Sequence, residues 1–422
     1  MRIKFLLFFN SFLFVLILSF IILTSIIFRN NKLVDKDYDD EMTDNKTIYF
    51  EEKFDSYKEA FNKAKNFIKN NLDGILINTK KIKLPLKPKM SIVIPCYECK
   101  KYILRALRSV QNQNFSNYEI IIVDDGSASD TVTFIKHMQK EENRIRIIQN
   151  KKNMGLLYTR CIGSLSAKGK FILPLDSDDM FLDKDIFYIL TNIAIKGNFD
   201  IIIYNSISAI LKEDKNIIKF GPTYYDRNHK PNLILFQPDL GYYHIAPSNN
   251  IEKFYFNDEL IHGKFFRTAI YKKAVNKLGK ERYSRYLILA EDDIVNNSIF
   301  NIARCAKFIA KYGYLFINNP KSYSKRQNNR AKVQSARNLL YILDPLIDFS
   351  LDLPKNKKVL VNFTIFLLKN KYLKYLLKST EYDNKLFISC LDRIFNCKYI
   401  SEDDKKEIRR RGKKYKFIKY SF

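Results

Sequence analysis

Glu119-Ile120-Ile121-Ile122-Val123-Asp124-Asp125-Gly126-Ser127 is a β-prone apolar run that ends in two carboxylates and a turn pair. A short apolar run bounded by turn residues reads as a buried strand. The same pattern recurs on both sides of it. Ser91–Ile94, Arg144–Gln149 and Lys170–Leu175 read as further strands, and the intervening Tyr102–Gln111, Asp130–Lys140 and Leu156–Ala167 read as helices. Alternation of this kind predicts right-handed βαβ units and a mostly parallel sheet flanked by helices, an α/β fold. Ligands of such sheets bind beyond the carboxyl ends of the strands. Val123 leads into Asp124-Asp125 and Leu175 leads into Asp176-Ser177-Asp178-Asp179, so both acidic clusters are predicted on one ligand-facing edge.

Carboxylates crowded at the mouth of an apolar crevice repel one another and lose hydration, a cost that a cation relieves. Hard oxygen ligands suit Mg²⁺ or Mn²⁺, ions that keep part of their shell for phosphate oxygens. Asp residues ahead of a helix are also ordinary N-caps, and the Asp176–Asp179 cluster alone would fit a solvated loop. Its position at a strand end, beside a second acidic cluster, favours a metal bridging protein carboxylates to a diphosphate.

The 422 residues, 46% hydrophobic and 14% aromatic, exclude wholesale disorder and leave room for a substantial core. A formal charge of +28 attracts phosphates and acidic surfaces, but it is dispersed along the chain, which argues against a nucleic-acid binder. Phe5–Phe28 is an apolar run of about 24 residues, enough to span a bilayer and longer than a cleaved signal's apolar region. It is read as a single-pass type II signal anchor: a short basic tail in the cytoplasm, the rest of the chain lumenal, in Golgi or ER. Residues 1–29 are then tail and anchor, 30–88 a stalk with an amphipathic helix at Phe50–Phe67, 89–330 the main domain, and 331–422 a helical, basic C-terminal region. Cys96 and Cys99 form a C-x-x-C without the second pair a zinc site needs, and Cys390 and Cys397 are close enough in sequence to bridge in an oxidising lumen.

Ser91-Ile92-Val93-Ile94-Pro95-Cys96-Tyr97, Glu119 to Ser127, Asn153-Met154-Gly155 with Arg160, and Asp176-Ser177-Asp178-Asp179 together resemble the family 2 glycosyltransferases in order and spacing. The resemblance resumes more weakly at His262-Gly263-Lys264-Phe265-Phe266-Arg267 and at Glu291-Asp292-Asp293, and fades by about Arg330. It implies a GT-A fold, Rossmann-like and DxD-containing, and an inverting transfer from a nucleotide-sugar, with a UDP-sugar the expected donor. By the same resemblance Asp124 and Asp125 hold base and ribose, and Arg160 lies near the nucleotide. Pro95, Tyr97, Glu98, Gly155 and Ser177 belong to the donor site. Asp176 touches the ribose or a metal-bound water, Asp178 ligates Mn²⁺ or Mg²⁺ with Asp179 in support, and Asp292 is the general base. The chemistry agrees with these roles, because a divalent ion stabilises charge on a diphosphate leaving group and an attacking hydroxyl must lose its proton to a carboxylate.

The chain departs from the family at Tyr97-Glu98-Cys99-Lys100, where relatives place Tyr-Asn and then Glu, and at Cys161, where an Asn often follows the arginine. Gln327-Asn328-Asn329-Arg330 lacks the Trp of processive synthases, and Val359–Leu377 is broken by polar residues, so a single transfer fits better than polymer synthesis. The expected acceptor is a glycan, protein or lipid of the secretory pathway. A cytosol-facing transferase acting on a polyprenyl phosphate is an alternative, and so is a degenerate protein that binds sugar-nucleotides without turnover. Arg409–Lys414 reads as a solvated tail or as a contact for anionic lipid or an acidic acceptor.

Overall fold

The expected alternation is present in the computed structural model, which describes residues 84–211, 217–222, 233–237, 242–244, 261–288, 291–300, 302–317, 329–350 and 381–414, with single positions 59, 62, 361, 364 and 365. All of these lie within the unit Phe54–Phe422. Strands β1 (Met90–Cys96), β2 (Tyr118–Asp124), β3 (Ile145–Gln149) and β4 (Phe171–Pro174) are joined by helices α1 (Ile103–Gln111), α2 (Ser129–Glu141) and α3 (Leu156–Ser166). The four strands are parallel in the order β3-β2-β1-β4, with Ile92 opposite both Ile120 and Leu173. Their side chains alternate between two apolar layers, as a period of two requires. Ile92, Ile94, Ile120 and Ile122 pack with Ile103 and Leu107 of α1 on one face, while Val93, Ile121 and Val123 pack with Leu157 and Cys161 of α3 on the other. A sheet buried on both faces explains why these strands read as continuous apolar runs.

Beyond β4 the expectation of a mostly parallel sheet fails. β5 (Met180–Phe181), β6 (Ile201–Leu211), β7 (Ile217–Pro222), β8 (Leu233–Gln237), β9 (Tyr242–His244), β10 (Lys264–Arg267) and β11 (Cys305–Ile317) extend the same sheet, with helix α4 (Ile186–Lys196) between β5 and β6 in the chain. β10 enters antiparallel between β4 and β6, and β5, β7, β8 and β9 also pair antiparallel, so six of the ten pairings among the described residues are antiparallel. The physical reason lies in the connections. Parallel neighbours need a crossover of a dozen or more residues, whereas β6 and β7 are joined by a short link that permits only the antiparallel pairing.

Helices α5 (Thr268–Leu278), α6 (Lys280–Tyr283), α7 (Glu291–Phe300), α8 (Asn329–Ser350), α9 (Glu381–Phe395) and α10 (Glu402–Lys414) follow. Leu343, Ile347, Cys390, Ile394 and Ile408 share one apolar cluster with Val93, Ile121 and Val123, so the C-terminal helices are built onto the sheet. Asp344 of α8 ties this layer together, accepting from Arg282 at 3.1 Å, Arg285 at 2.7 Å and Arg393 at 3.0 Å. Arg410 and Arg411, from the basic run, each pair with Glu407 on the same helix. Cys390 and Cys397, close enough in sequence to bridge, are buried free thiols, and the disulfide joins Cys96 to Cys99, which removes a zinc role for that pair. The anchor at Phe5–Phe28, the stalk helix at Phe50–Phe67 and most of Val359–Leu377 fall outside the described residues. Among the described residues no helix is long and apolar enough to cross a membrane.

Candidate active site

A cleft of about 250 Å³ opens at the carboxyl ends of β1, β2 and β4. Pro95, Cys96 and Tyr97 line it from β1, Asp125 from β2, and Asp176, Ser177 and Asp178 from the turn after β4, with Asn153, Leu156 and Thr159 around the start of α3 and Ile288 opposite. This is where the sheet order reverses, since β1 connects onward to β2 on one side and has β4 on the other.

Asp125 frames the cleft through the loop before α3. Its carboxylate accepts from Asn150 Nδ2 at 2.8 Å, Met154 N at 2.9 Å and Gly155 N at 2.9 Å. Gly155 has φ +93°, and a Cβ there would stand 2.8 Å from the Leu287 carbonyl oxygen. Gly155→Ala is therefore expected to destabilise the fold by about 1–3 kcal/mol, measured by denaturant titration, and an unchanged midpoint would refute the close approach. Asp124 lies deeper. It is fully buried and accepts from Ser127 N at 3.3 Å, and its other oxygen has no hydrogen-bond partner among the described residues. The two neighbouring aspartates thus differ, since Asp125 lines the cleft and Asp124 does not.

Glu98, expected at the nucleotide, is used elsewhere. Its carboxylate accepts from Ala128 N at 2.7 Å and Thr131 Oγ1 at 3.0 Å. Helix α2 starts at Ala128, whose side chain has no acceptor for the free N–H groups of the first turn, and Glu98 supplies one from another loop. The substitution that departs from the family pattern is in this way a helix cap. Tyr97 stands beside it at the cleft lip, 55% exposed, and presents a rigid aromatic face.

The turn after β4 divides its carboxylates between two environments. Asp179, expected to support a metal, is fully buried and accepts from Tyr314 Oη at 2.8 Å and Ile317 N at 2.7 Å, which places it outside the cleft. Burial, with the charges of Asp178 and Asp176 behind it, pushes its pKa well up. The Tyr314 hydroxyl also accepts from Asp176 N at 3.2 Å, so one side chain from β11 fastens both ends of the turn. Asp178 faces the cleft, and Arg105 of α1 donates from Nη2 to its carbonyl at 2.6 Å. Neither Arg105 nor Tyr314 carries a local sequence signal, because each acts across a long stretch of chain.

Burial first, and then the Asp176 charge, push the Asp178 carboxyl up to about 6. Asp176 and Asp178 set two hard carboxylate groups side by side at the cleft, and that donor set fits a Mg²⁺ or Mn²⁺ ion. Among the described residues no three carboxylate, imidazole or thiol groups converge to hold an ion alone, so donor oxygens or water would complete such a shell. A raised native pKa means the folded state keeps a proton that the unfolded chain has released. This contribution to stability is present at low pH and is lost as pH rises through about 4 to 6. Mn²⁺ is accordingly expected to raise the melting temperature strongly at about pH 7 and little at about pH 4.5. Equal shifts at both values would show that the ion does not act through this pair.

Arg160 joins the turn after β4 to the start of α7. Its guanidinium pairs with Asp176 at 2.8 Å, Glu291 at 3.3 Å and Asp292 at 3.4 Å, and it is 3% exposed. Arg160, expected near the nucleotide, is not among the residues lining the cleft. Glu291 and Asp292 open α7. Burial, and then the neighbouring Asp292 charge, push Glu291 well up. Asp292 accepts from Ile261 N at 3.2 Å, and its side chain is 18% exposed.

Residues 91–277 match the family described as Glycosyl transferase family 2. The chain carries a family 2 glycosyl transferase domain. Curated relatives of that domain include a chondroitin synthase of Escherichia coli, 39% identical over 98 residues that cover 23% of this chain and 14% of the relative. A GalNAc(5)-diNAcBac-PP-undecaprenol beta-1,3-glucosyltransferase of Campylobacter jejuni is 34% identical over 96 residues, 22% of this chain and 31% of the relative. The chain spans less than half the length of the curated relatives it matches. The structure of S. aureus TarS 1-349 in complex with UDP-GlcNAc superposes with a TM-score of 0.51 at 17% identity, covering 79% of this chain and 93% of that one. This likeness gives the family 2 domain a mixed α/β fold of the GT-A type.

Proposed function

We propose that the protein transfers a single hexosyl or N-acetylhexosaminyl group from a UDP-sugar to an acceptor hydroxyl, with inversion and with a divalent cation. One observation carries this reading: the cleft-facing carboxylate pair and the exposed edge of Asp292 are separated by one shared guanidinium. This shared contact supports donor and base chemistry acting at one place. Tyr97, Pro95 and Asp125 frame the part of the cleft suited to a nucleobase. Asp176 and Asp178 would hold Mn²⁺ or Mg²⁺, which supplies positive charge to a diphosphate leaving group. Asp292 accepts the proton of the attacking hydroxyl. The TarS complexes with UDP and UDP-GlcNAc support the choice of nucleotide.

Attachment to a membrane through Phe5–Phe28, with the domain on the lumenal side, remains part of the proposal and rests on the apolar run. The Campylobacter relative, named for an undecaprenol-linked acceptor, supports a second reading in which the domain faces the cytosol and acts on a polyprenyl-linked acceptor. Protease digestion of sealed vesicles distinguishes them, since cleavage of the domain without detergent excludes the lumenal arrangement. The transferase reading is tested by calorimetry and nucleotide release with a panel of UDP-, GDP- and dTDP-sugars, with and without Mn²⁺. Ion-dependent UDP-sugar binding with release of UDP is expected. Binding without release under any donor and acceptor mixture would favour the degenerate binding protein.

A further inference from the structure

We infer that Arg160 is a positioning residue that couples the donor carboxylates to the base rather than a contact to the nucleotide, an inference that rests on the transferase reading. Three observations carry it. The guanidinium is buried and is not among the residues that line the cleft. Its charge is already engaged by Asp176 through Nη2 and by Asp292 and Glu291 through Nε. Its helix is seated hard on the sheet, because a Cβ at Gly163 would stand 2.5 Å from Val93 Cγ1 and 2.9 Å from Val123 Cγ2. Arg160 thus projects from a fixed helix, and its planar fork sets the distance between Asp176 and Asp292 in a way the single ammonium of a lysine does not reproduce. With one guanidinium shared between two carboxylates, a change at either is felt at the other. An ion that draws on Asp176 leaves more of the guanidinium to Asp292, and neutralising Asp292 leaves more of it to Asp176.

The coupling is tested with UDP and Mn²⁺ as binding probes and with UDP release from the donor chosen by the panel. Arg160→Lys is expected to lower turnover at saturating donor by about 10²-fold through misplacement of the base. UDP affinity in Mn²⁺ should change by less than about 3-fold, because no nucleotide contact is removed. In the Asp292→Asn background the same substitution should cost less than about 3-fold further, because its effect passes through Asp292. A contact to the nucleotide would instead weaken UDP binding at unchanged saturated turnover, and an additive double variant would also overturn the coupling. A second arm leaves Arg160 in place and does not depend on Arg160→Lys folding. In Asp292→Asn the Mn²⁺ concentration that supports UDP binding should rise about 5-fold, as Arg160 turns wholly to Asp176. An unchanged Mn²⁺ requirement would overturn the inference. If the wild-type chain binds no UDP in Mn²⁺, the nucleotide-sugar reading fails and the coupling fails with it.

Discussion

Asp292→Asn is expected to lower sugar transfer by about 10²–10⁴-fold, the usual contribution of a positioned general base. The substitution is close to isosteric and an amide oxygen can still accept from Ile261 N, so the melting temperature should change little. UDP should still bind once Mn²⁺ is raised. The sign follows from the surroundings of the residue. Glu291 beside it is buried and pushed up, whereas Asp292 keeps an exposed edge and pairs with Arg160 at 3.4 Å, so Asp292 is the one of the two that a hydroxyl can reach. Transfer by Asp292→Asn at more than about a tenth of the wild-type rate would place the base elsewhere.

Asp178→Asn should lower turnover by about 10²–10³-fold, the scale seen when one preorganised electrostatic contact to a developing charge is removed. This variant has a second signature that separates it from a damaged fold. The wild-type carboxyl is held up to about 6 by burial and by Asp176, so near neutral pH its ionised form destabilises the ion-free protein. The amide removes that cost. The variant should therefore melt higher than wild type at about pH 7 without divalent ions, and it should lose the melting shift that Mn²⁺ produces. A variant that melts lower and still responds to Mn²⁺ would remove Asp178 from the ion site.

The half of the sheet that carries the cleft was legible because its strands are buried on both faces and its helices alternate with them, so period and punctuation agree from Met90 to Pro174. What escaped was pairing at long range. Nothing near Asp179 announces that its oxygens meet Tyr314 and Ile317, and nothing near Arg160 announces Glu291 and Asp292. Asp179 and Asp178 are adjacent and chemically identical, and only the arrival of β11 distinguishes them. Glu98 reads two ways for a related reason. An acid in a nucleotide-facing loop and an acid capping a helix look alike until Ala128 is seen to begin that helix without an acceptor. The antiparallel additions beyond β4 were missed because short links and brief strands leave little periodic pattern.

The double hold of the Tyr314 hydroxyl on Asp176 and Asp179 limits how far the chain can be shortened. A fragment ending ahead of Cys305 would keep every recognisable motif of the nucleotide-facing half, yet it would strand the Asp179 carboxyl inside the protein without either of its donors. The smallest autonomous catalyst cut from this protein must therefore run through Ile317, about forty residues past the last one that the family match reaches.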